Sequence, residues 1–148
     1  MNNPAVIVPG AMPALQSLGA AIKNSGLPQR TLELVHLRAS QMNGCSTCVL
    51  GGVSMLRKEG ETDERLATVA AWRDAPFFSD AERAALALAE SLTQINPHSE
   101  AVSDEIWNEA ARHFDEVELA ALVLSIASTN VWNRLNIATR QVAGAWMP

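Results

Sequence analysis

Two cysteines, Cys45 and Cys48, are separated by Ser46 and Thr47, and they are the only cysteines in the chain. They follow Asn43-Gly44, which predicts the end of one helix and the start of the next. A spacing of three residues brings both sulfur atoms to one side of the first turn of that helix. Free backbone N–H groups and the positive end of the helix dipole lie there, and both favour a thiolate over a thiol.

A thiolate pair in this position can carry out two-electron redox chemistry without a bound cofactor. One thiolate attacks a peroxide oxygen to form a sulfenic acid, and the neighbouring thiol condenses with that acid to give a disulfide. Two other interpretations stay open: buried thiols that act as small hydrophobes, and a zinc site. The remaining candidate zinc ligands, His36, His98 and His113, lack paired spacing.

Glu33 is the second candidate, because it lies in a run of leucine and valine between residues 32 and 37. Part of its helical turn must therefore be buried. One interpretation is a solvated carboxylate on the outer face, paired with Arg30 or Arg38. The other is a partly buried general base that a helix hairpin places against the cysteines. The residues alone favour the solvated carboxylate.

The elements that must position these residues are helices. Apolar residues recur with the helical period, no stretch alternates with a period of two, and the pattern predicts an all-α domain of about six to seven helices. The predicted helices are Pro13 to Lys23, Pro28 to Met42, the cysteines to Glu59, Thr62 to Trp72, Ser79 to Thr93, one from Ser103, and one from Asp115 into the 130s. Short turns between them predict antiparallel neighbours around one core, so we expect residues 1–148 to form a single domain. No βαβ pattern flanks the cysteines, which excludes a thioredoxin-like fold.

The composition and net charge of the chain exclude several classes of protein function. The 148 residues carry 11 basic and 16 acidic side chains, a net charge of −5. This balance argues against a nucleic-acid binder and against adhesion to an anionic membrane. The first ten residues lack the features of a signal peptide, and the longest apolar run covers about half of a membrane span. We therefore expect a cytoplasmic protein, in which a close cysteine pair is typically catalytic or metal-binding.

The segment from Glu33 to Cys48 resembles the AhpD-like alkyl hydroperoxidases of the carboxymuconolactone decarboxylase superfamily. The family pattern is a Glu, eleven residues, a Cys, two residues and a second Cys, and Glu33, Cys45 and Cys48 match it. The C-terminal segment Asn130-Val-Trp-Asn-Arg134 adds to the resemblance, which covers about residues 10 to 140. The resemblance implies an AhpD-like helical bundle with the CxxC pair at a helix N-terminus, and it favours Glu33 as a base.

The resemblance also implies a reaction and its partners. Cys48 would be the peroxidatic thiolate, Cys45 the resolving thiol, and Glu33 the start of a proton relay. The substrate would be a small or organic hydroperoxide, and the reductant a dithiol such as a lipoyl group on an adaptor protein. Family members form trimers, hexamers or related assemblies, so we expect a homo-oligomer. No metal or cofactor is expected.

The sequence departs from the family at the relay. The family has a histidine four residues after the second cysteine, where this chain has Gly52. Glycine inside a helix costs about 1 kcal/mol relative to alanine, so Gly52 suggests close approach of another helix or room for water or substrate. His36 lies one turn after Glu33, and we hypothesise that Glu33–His36, or Glu33 through a water beside Gly52, replaces the relay. The alternative for His36 is a partly buried, hydrogen-bonded histidine without a catalytic role.

The missing histidine keeps other functions open. These are a non-catalytic binding or regulatory protein, a thiol–disulfide oxidoreductase, and a lactone decarboxylase, although decarboxylation has no need for vicinal thiols. Asn130, Asn133 and Arg134 share a helix face, and we interpret them as a hydrogen-bonded structural cluster rather than as catalytic groups. The tryptophans are interpreted as core or interface anchors: Trp72, Trp107, Trp132 and Trp146.

Overall fold

The computed structural model describes residues 1–97 and 99–145, and within these ranges the regular structure is entirely helical. The helices are α1 (Pro4–Ile7), α2 (Ala11–Lys23), α3 (Gln29–Asn43), α4 (Ser46–Lys58), α5 (Asp63–Thr68), α6 (Asp80–Thr93), α7 (Asp104–His113) and α8 (Glu116–Ala138). A short 3-10 helix, Val69–Ala71, continues α5. His98 and Trp146 lie outside the described residues. None of the described helices has both the length and the apolar character that crossing a bilayer requires.

The all-α prediction is confirmed, and the polar caps explain why most helix starts were predictable. Ser79 and Asp115 each form a capping box, and the side chain of Ser103 caps α7. Two details were wrong. The first predicted helix begins at Ala11 rather than Pro13, and α1 was not predicted, although its start carries an Asn cap followed by Pro4. Proline favours the first helical position, whereas Pro13 lies in the first turn of α2, two residues after the start. Helix α1 has four residues, too few to show a helical period.

Helix α3 is the centre of the fold, because it packs against α4, α6 and α8. Leu32 and Val35 on one side of α3 join a cluster with α6 and α8. Leu34 and Leu37 on the other side join a second cluster with α4 and the α5 segment. Burial on both sides leaves α3 only a narrow strip for polar side chains. The candidate residues of α3 lie on that strip, facing α2, α4 and α8.

Candidate active site

The cysteine pair is positioned by a sharp reversal between α3 and α4. Gly44 ends α3 in the left-handed conformation (φ 70°), which glycine adopts without steric cost. The next residue, Cys45, is the N-cap of α4, and its sulfur accepts a hydrogen bond from the Cys48 amide at 3.4 Å. The CxxC pair therefore lies at a helix N-terminus, as predicted.

Cys45 and Cys48 form a disulfide, so the structure represents the oxidised form of the pair. Both residues are buried, with 2% of Cys45 and 6% of Cys48 exposed. The Cys48 sulfur also accepts a hydrogen bond from Asn136 Nδ2 at 3.3 Å. A disulfide between these two residues is the end product that sulfenic acid chemistry at one of them would give.

His36 connects α3 to both α4 and α8. Its Nε2 lies 3.3 Å from the Cys48 carbonyl oxygen, and its Nδ1 lies 3.2 Å from Thr129 Oγ1. A carbonyl oxygen can only accept, so Nε2 carries the proton and the Thr129 hydroxyl donates to Nδ1. Burial lowers the pKa of His36, while the charge of Glu33 and the bond to the Cys48 carbonyl oppose that shift. The imidazole is therefore neutral near pH 7.

Gly52 is explained by the close approach of α3. A Cβ atom at residue 52 would lie 3.1 Å from His36 Cδ2 and 3.4 Å from Leu37 Cβ. The prediction that this glycine reflects close packing of another helix is thus confirmed. In the family pattern the residue at the position of Gly52 is a histidine of α4. In this chain the imidazole of His36, which belongs to α3, occupies the space directly beside that position.

Glu33 borders a cavity of about 240 Å³ between α2, α3 and α8, which His36, Thr129 and Trp132 also line. Gln29 Nε2 donates to its carboxylate at 2.7 Å. The expected pairings with arginine are wrong, because Arg30 binds Glu61 and Arg38 binds Glu90. Both arginines pair with acidic groups on other elements rather than with Glu33. The carboxylate of Glu33 lines the cavity instead.

The four sequence-predicted residues do not form one continuous hydrogen-bonded chain. Among the residues that the structure describes, no hydrogen bond joins Glu33 to His36 or to either sulfur. Glu33 and His36 share the cavity and interact electrostatically. Cys45 borders a separate cleft of about 190 Å³, lined also by Thr47, Asn136 and Arg140. His36 thus lies between the Glu33 cavity and the backbone of the CxxC turn.

Asn136 and Asn3 also belong to the site, and neither was predicted from the sequence. Asn3 Nδ2 donates to Asn136 Oδ1 at 2.7 Å, so the N-cap of α1 contacts the residue that contacts Cys48. Asn136 lies three residues after Asn133 on α8, and the polar face already recognised there could have been extended to it. Nothing in the sequence brings Asn3, 133 residues away, to the same place.

Asn130 and Asn133 form the structural cluster that was predicted. Asn43 Nδ2 donates to both of their Oδ1 atoms, at 2.9 and 2.8 Å, and Asn133 Nδ2 donates to Ser40 Oγ at 3.0 Å. Arg134 donates to the side-chain oxygen of Asn130 at 2.9 Å. Since Asn43 immediately precedes the Gly44 turn, this cluster fixes the end of α3 against α8 and supports the cysteine turn.

The tryptophans have three different environments. Trp72 is in the core, and its Nε1 donates to Glu90 at 2.9 Å. Trp132 lines the Glu33 cavity, whereas Trp107 is 44% exposed and so does not belong to the core; its role as an interface anchor stays a prediction. As to metals, no group of three or more His, Cys, Asp or Glu residues within 1–97 and 99–145 could hold an ion.

Comparison with known sequences identifies the family of this arrangement. The profile of the carboxymuconolactone decarboxylase family matches residues 9–91, which include Glu33 and both cysteines. The uncharacterised protein YdfG of Bacillus subtilis is 39% identical over 132 residues, 89% of this chain and 88% of that protein. The uncharacterised protein YnjA of Escherichia coli is 37% identical over 117 residues, 78% of this chain and 62% of that protein.

Solved structures share the fold over nearly the whole chain. A protein of unknown function from Agrobacterium tumefaciens, proposed to be the antioxidant defence protein AhpD, superposes with a TM-score of 0.87 and 30% identity. The match covers 95% of both chains. The debrominase Bmp8 superposes with a TM-score of 0.81 over 93% of this chain and 73% of that one. Its identity is 22%, so this second similarity concerns the fold alone.

Proposed function

This chain belongs to the carboxymuconolactone decarboxylase family as an AhpD-like member, and we propose that it is a thiol-dependent peroxidase acting on small or organic hydroperoxides. The observation that carries the proposal is the Cys45–Cys48 disulfide at the N-terminus of α4, with His36 bound to the Cys48 carbonyl. A cysteine pair whose disulfide fits within the first turn of an intact helix can exchange, as two thiols, the two electrons that reduction of a peroxide requires.

The proposed reaction balances with these two sulfurs and an external dithiol. The Cys48 thiolate attacks one oxygen of ROOH, the O–O bond breaks, and Cys48 becomes a sulfenic acid while RO⁻ leaves. RO⁻ takes a proton and departs as the alcohol ROH. The Cys45 sulfur then attacks the Cys48 sulfur, the S–S bond forms, and the hydroxyl group leaves as water with the Cys45 proton. A dithiol returns two electrons and two protons and becomes a disulfide itself.

We assign the proton supply to His36 and Glu33. An alkoxide is a poor leaving group unless a proton reaches it during the step, and a positioned acid contributes roughly 10²–10⁴-fold to such reactions. His36 acts as a relay: its Nδ1 takes a proton from solvent in the cavity that Glu33 borders, and the charge of Glu33 stabilises the imidazolium that forms. Nε2 then releases its proton to the alkoxide, which returns the ring to the neutral form. This arrangement supports His36 as the substitute for the histidine that Gly52 replaces.

The reductant and the assembly extend the proposal. We expect a dithiol such as a lipoyl group on an adaptor protein, in the reducing cytoplasm, because the buried sulfurs are accessible only to a slender group. We also expect a homo-oligomer, a trimer or hexamer. Val117, Leu124 and Val131 are 61%, 45% and 41% exposed at a spacing of seven residues along α8, which is typical of a helix face that contacts another helix.

Peroxide consumption by the reduced protein tests the function. The protein is reduced with a dithiol, freed of reductant and mixed with tert-butyl hydroperoxide. One equivalent of alcohol and loss of both thiols are expected, with Cys48→Ser inactive and Cys45→Ser forming a sulfenic acid that dimedone traps. Survival of both thiols with excess peroxide would contradict the proposal. Reduction of a protein disulfide by those same surviving thiols would instead assign thiol–disulfide exchange.

A further inference from the structure

Three hydrogen bonds in series connect the N-terminal segment to the Cys48 sulfur. The Ala5 amide donates to Asn3 Oδ1 at 2.9 Å, Asn3 Nδ2 donates to Asn136 Oδ1 at 2.7 Å, and Asn136 Nδ2 donates to Cys48 Sγ at 3.3 Å. The proposed peroxidase mechanism and the sequence motif use none of these bonds. Among the described residues, the bond from Asn136 is the only side-chain hydrogen bond to a sulfur atom from outside the CxxC turn.

The direction of each bond is fixed by chemistry. A backbone N–H can only donate, so the Asn3 atom that meets Ala5 is the oxygen, and the NH₂ group of Asn3 must face Asn136. That NH₂ group must in turn meet the oxygen of Asn136. The NH₂ group of Asn136 is therefore directed at the sulfur. The N-cap bond of α1 thus determines that Asn136 presents its NH₂ group, rather than its oxygen, to the Cys48 sulfur.

The backbone of Asn136 is held equally firmly. The Gln141 amide donates to the Asn136 carbonyl and the Arg140 amide to the Ile137 carbonyl, which is the Schellman motif. Arg140 adopts the left-handed conformation that this motif requires (φ 53°), at a cost of roughly 1–2 kcal/mol for a residue with a side chain. Thr47 donates to the Gln141 carbonyl at 3.1 Å, so the same motif is fastened to the first turn of α4.

We propose that Asn136 is a catalytic residue that stabilises the Cys48 thiolate by hydrogen bonding, and that Asn3 is a positioning residue that aims it. The role in turnover rests on the proposed peroxidase function. In the reduced protein the same donor faces a thiolate rather than a disulfide, and a hydrogen bond to a charged acceptor is stronger than one to a neutral acceptor. The bond therefore favours ionisation of Cys48 and raises the reactivity of its sulfur.

The other ionisable groups near Cys48 are few. Cys45 shares its helical turn, His36 approaches from α3 through the Cys48 carbonyl, and Arg140 lines the adjoining cleft beyond α8. Residues 3–8, which form α1 and its flanks, carry no ionisable side chain. Residues 3–8 therefore carry no charge that acts on Cys48, and the two amides are the hydrogen-bonded link between them and the sulfur.

Alkylation of reduced Cys48 by iodoacetamide across pH, quantified on the Cys48 peptide of the full-length protein, tests the assignment. Asn136→Asp keeps the acceptor for Asn3 but turns an oxygen toward the sulfur, and Asn136→Leu removes the donor. We expect both to slow alkylation at pH 7 by about tenfold and to move the profile to higher pH, because a hydrogen bond to a charged group is lost. Unfolding curves verify that each variant is folded.

Asn3→Asp tests the positioning role, with Asn2→Asp as the matched control. The new carboxylate still accepts from the Ala5 amide and caps α1, but it cannot donate to Asn136, whose amide then turns its oxygen to the sulfur. Asn2 is exposed and makes no side-chain hydrogen bond with the described residues. Asn2→Asp adds the same charge one residue away from Asn3. Because solvent and salt screen that charge, the rate of Cys48 alkylation in Asn2→Asp should stay within about twofold of the rate in the parent. Asn3→Asp should slow alkylation as the Asn136 variants do.

The possible results separate the claims. An unchanged alkylation profile in Asn136→Asp and Asn136→Leu would overturn the role of Asn136, and equal profiles for Asn3→Asp and Asn2→Asp would overturn the role of Asn3. Alkylation uses no peroxide. A protein that shows the shifts but does not reduce peroxide therefore contradicts the proposed function and the role of Asn136 in turnover, but it leaves the stabilisation of the Cys48 thiolate by Asn136 intact.

Discussion

Replacing Gly52 with alanine tests the packing of His36 against α4. The new Cβ would lie 3.1 Å from His36 Cδ2 and 3.4 Å from Leu37 Cβ, shorter than the roughly 3.5–4.0 Å of an ordinary carbon–carbon contact. The imidazole must therefore shift by a few tenths of an ångström. It is held at both ring nitrogens, by Thr129 and by the Cys48 carbonyl, so a shift weakens at least one of these bonds.

The stability change follows from opposing terms. Alanine gains about 1 kcal/mol over glycine in a helix interior. Overpacking costs roughly 1–3 kcal/mol, and a weakened hydrogen bond costs up to about 1 kcal/mol. We expect Gly52→Ala to lower the free energy of unfolding by about 1–2 kcal/mol. Gly19→Ala in α2 is the matched control, since its Cβ meets nothing within 4 Å and it should raise that free energy by about 1 kcal/mol.

Urea unfolding of the oxidised parent and both variants measures the difference, which should be about 2–3 kcal/mol between the two substitutions. In a His36→Ala background the ring is absent, and Gly52→Ala should then lose most of its penalty. Equal stabilisation by Gly52→Ala and Gly19→Ala would refute the reasoning, because it would show that His36 does not occupy the space beside residue 52.

Three further predictions concern stability and pH. Burial lowers the pKa of His36 below its usual 6.5, so the unfolded chain binds a proton that the folded chain does not as the pH falls through 6.5. This difference destabilises the folded chain in acid. His36→Gln should remove it, and the urea midpoint should then depend less steeply on pH. Asn133→Ala should lower the free energy of unfolding by about 1–3 kcal/mol, because Asn133 is fully buried and its removal leaves Ser40 without a partner and Asn43 with Asn130 alone. Thermal unfolding measures this loss, and a loss no larger than that of Asn24→Ala on the surface would contradict the prediction. Glu90→Gln should destabilise the fold at neutral pH but much less in acid. Burial raises the pKa of Glu90, but hydrogen bonds from Trp72, Arg73 and Arg38 outweigh burial and lower it, so the stability that they supply is lost as the pH falls below the usual 4.5. Equal destabilisation at both pH values would refute this prediction.

Much of the fold was predictable because its signals are local. The capping boxes at Ser79 and Asp115 and the glycine turn at Gly44 each lie within a few residues of the feature that they determine. Helix α1 escaped prediction because four residues carry no periodicity, so only Asn3 and Pro4 marked it. Its existence depends on packing against α2, which is a tertiary contact.

The candidate site was predictable only in part, for the same reason. The CxxC spacing and its helix N-terminus are local, and His36 could be linked to Glu33 by its position on the same helix. The pairings of Arg30 and Arg38 were wrong, because their partners Glu61 and Glu90 come from distant segments. The link from Asn3 through Asn136 to Cys48 joins residues that only the folded chain brings together.

The most direct test of the account is the rate at which reduced protein loses both thiols to tert-butyl hydroperoxide, compared between the parent and His36→Gln. Glutamine can still donate to the Cys48 carbonyl but cannot exchange a proton near neutral pH. The account predicts one intramolecular disulfide per peroxide in the parent and a rate roughly 10²-fold lower in His36→Gln, the low end of the range for general acid catalysis. Equal rates would remove His36 from the mechanism, and intact thiols in the parent would contradict the peroxidase assignment itself.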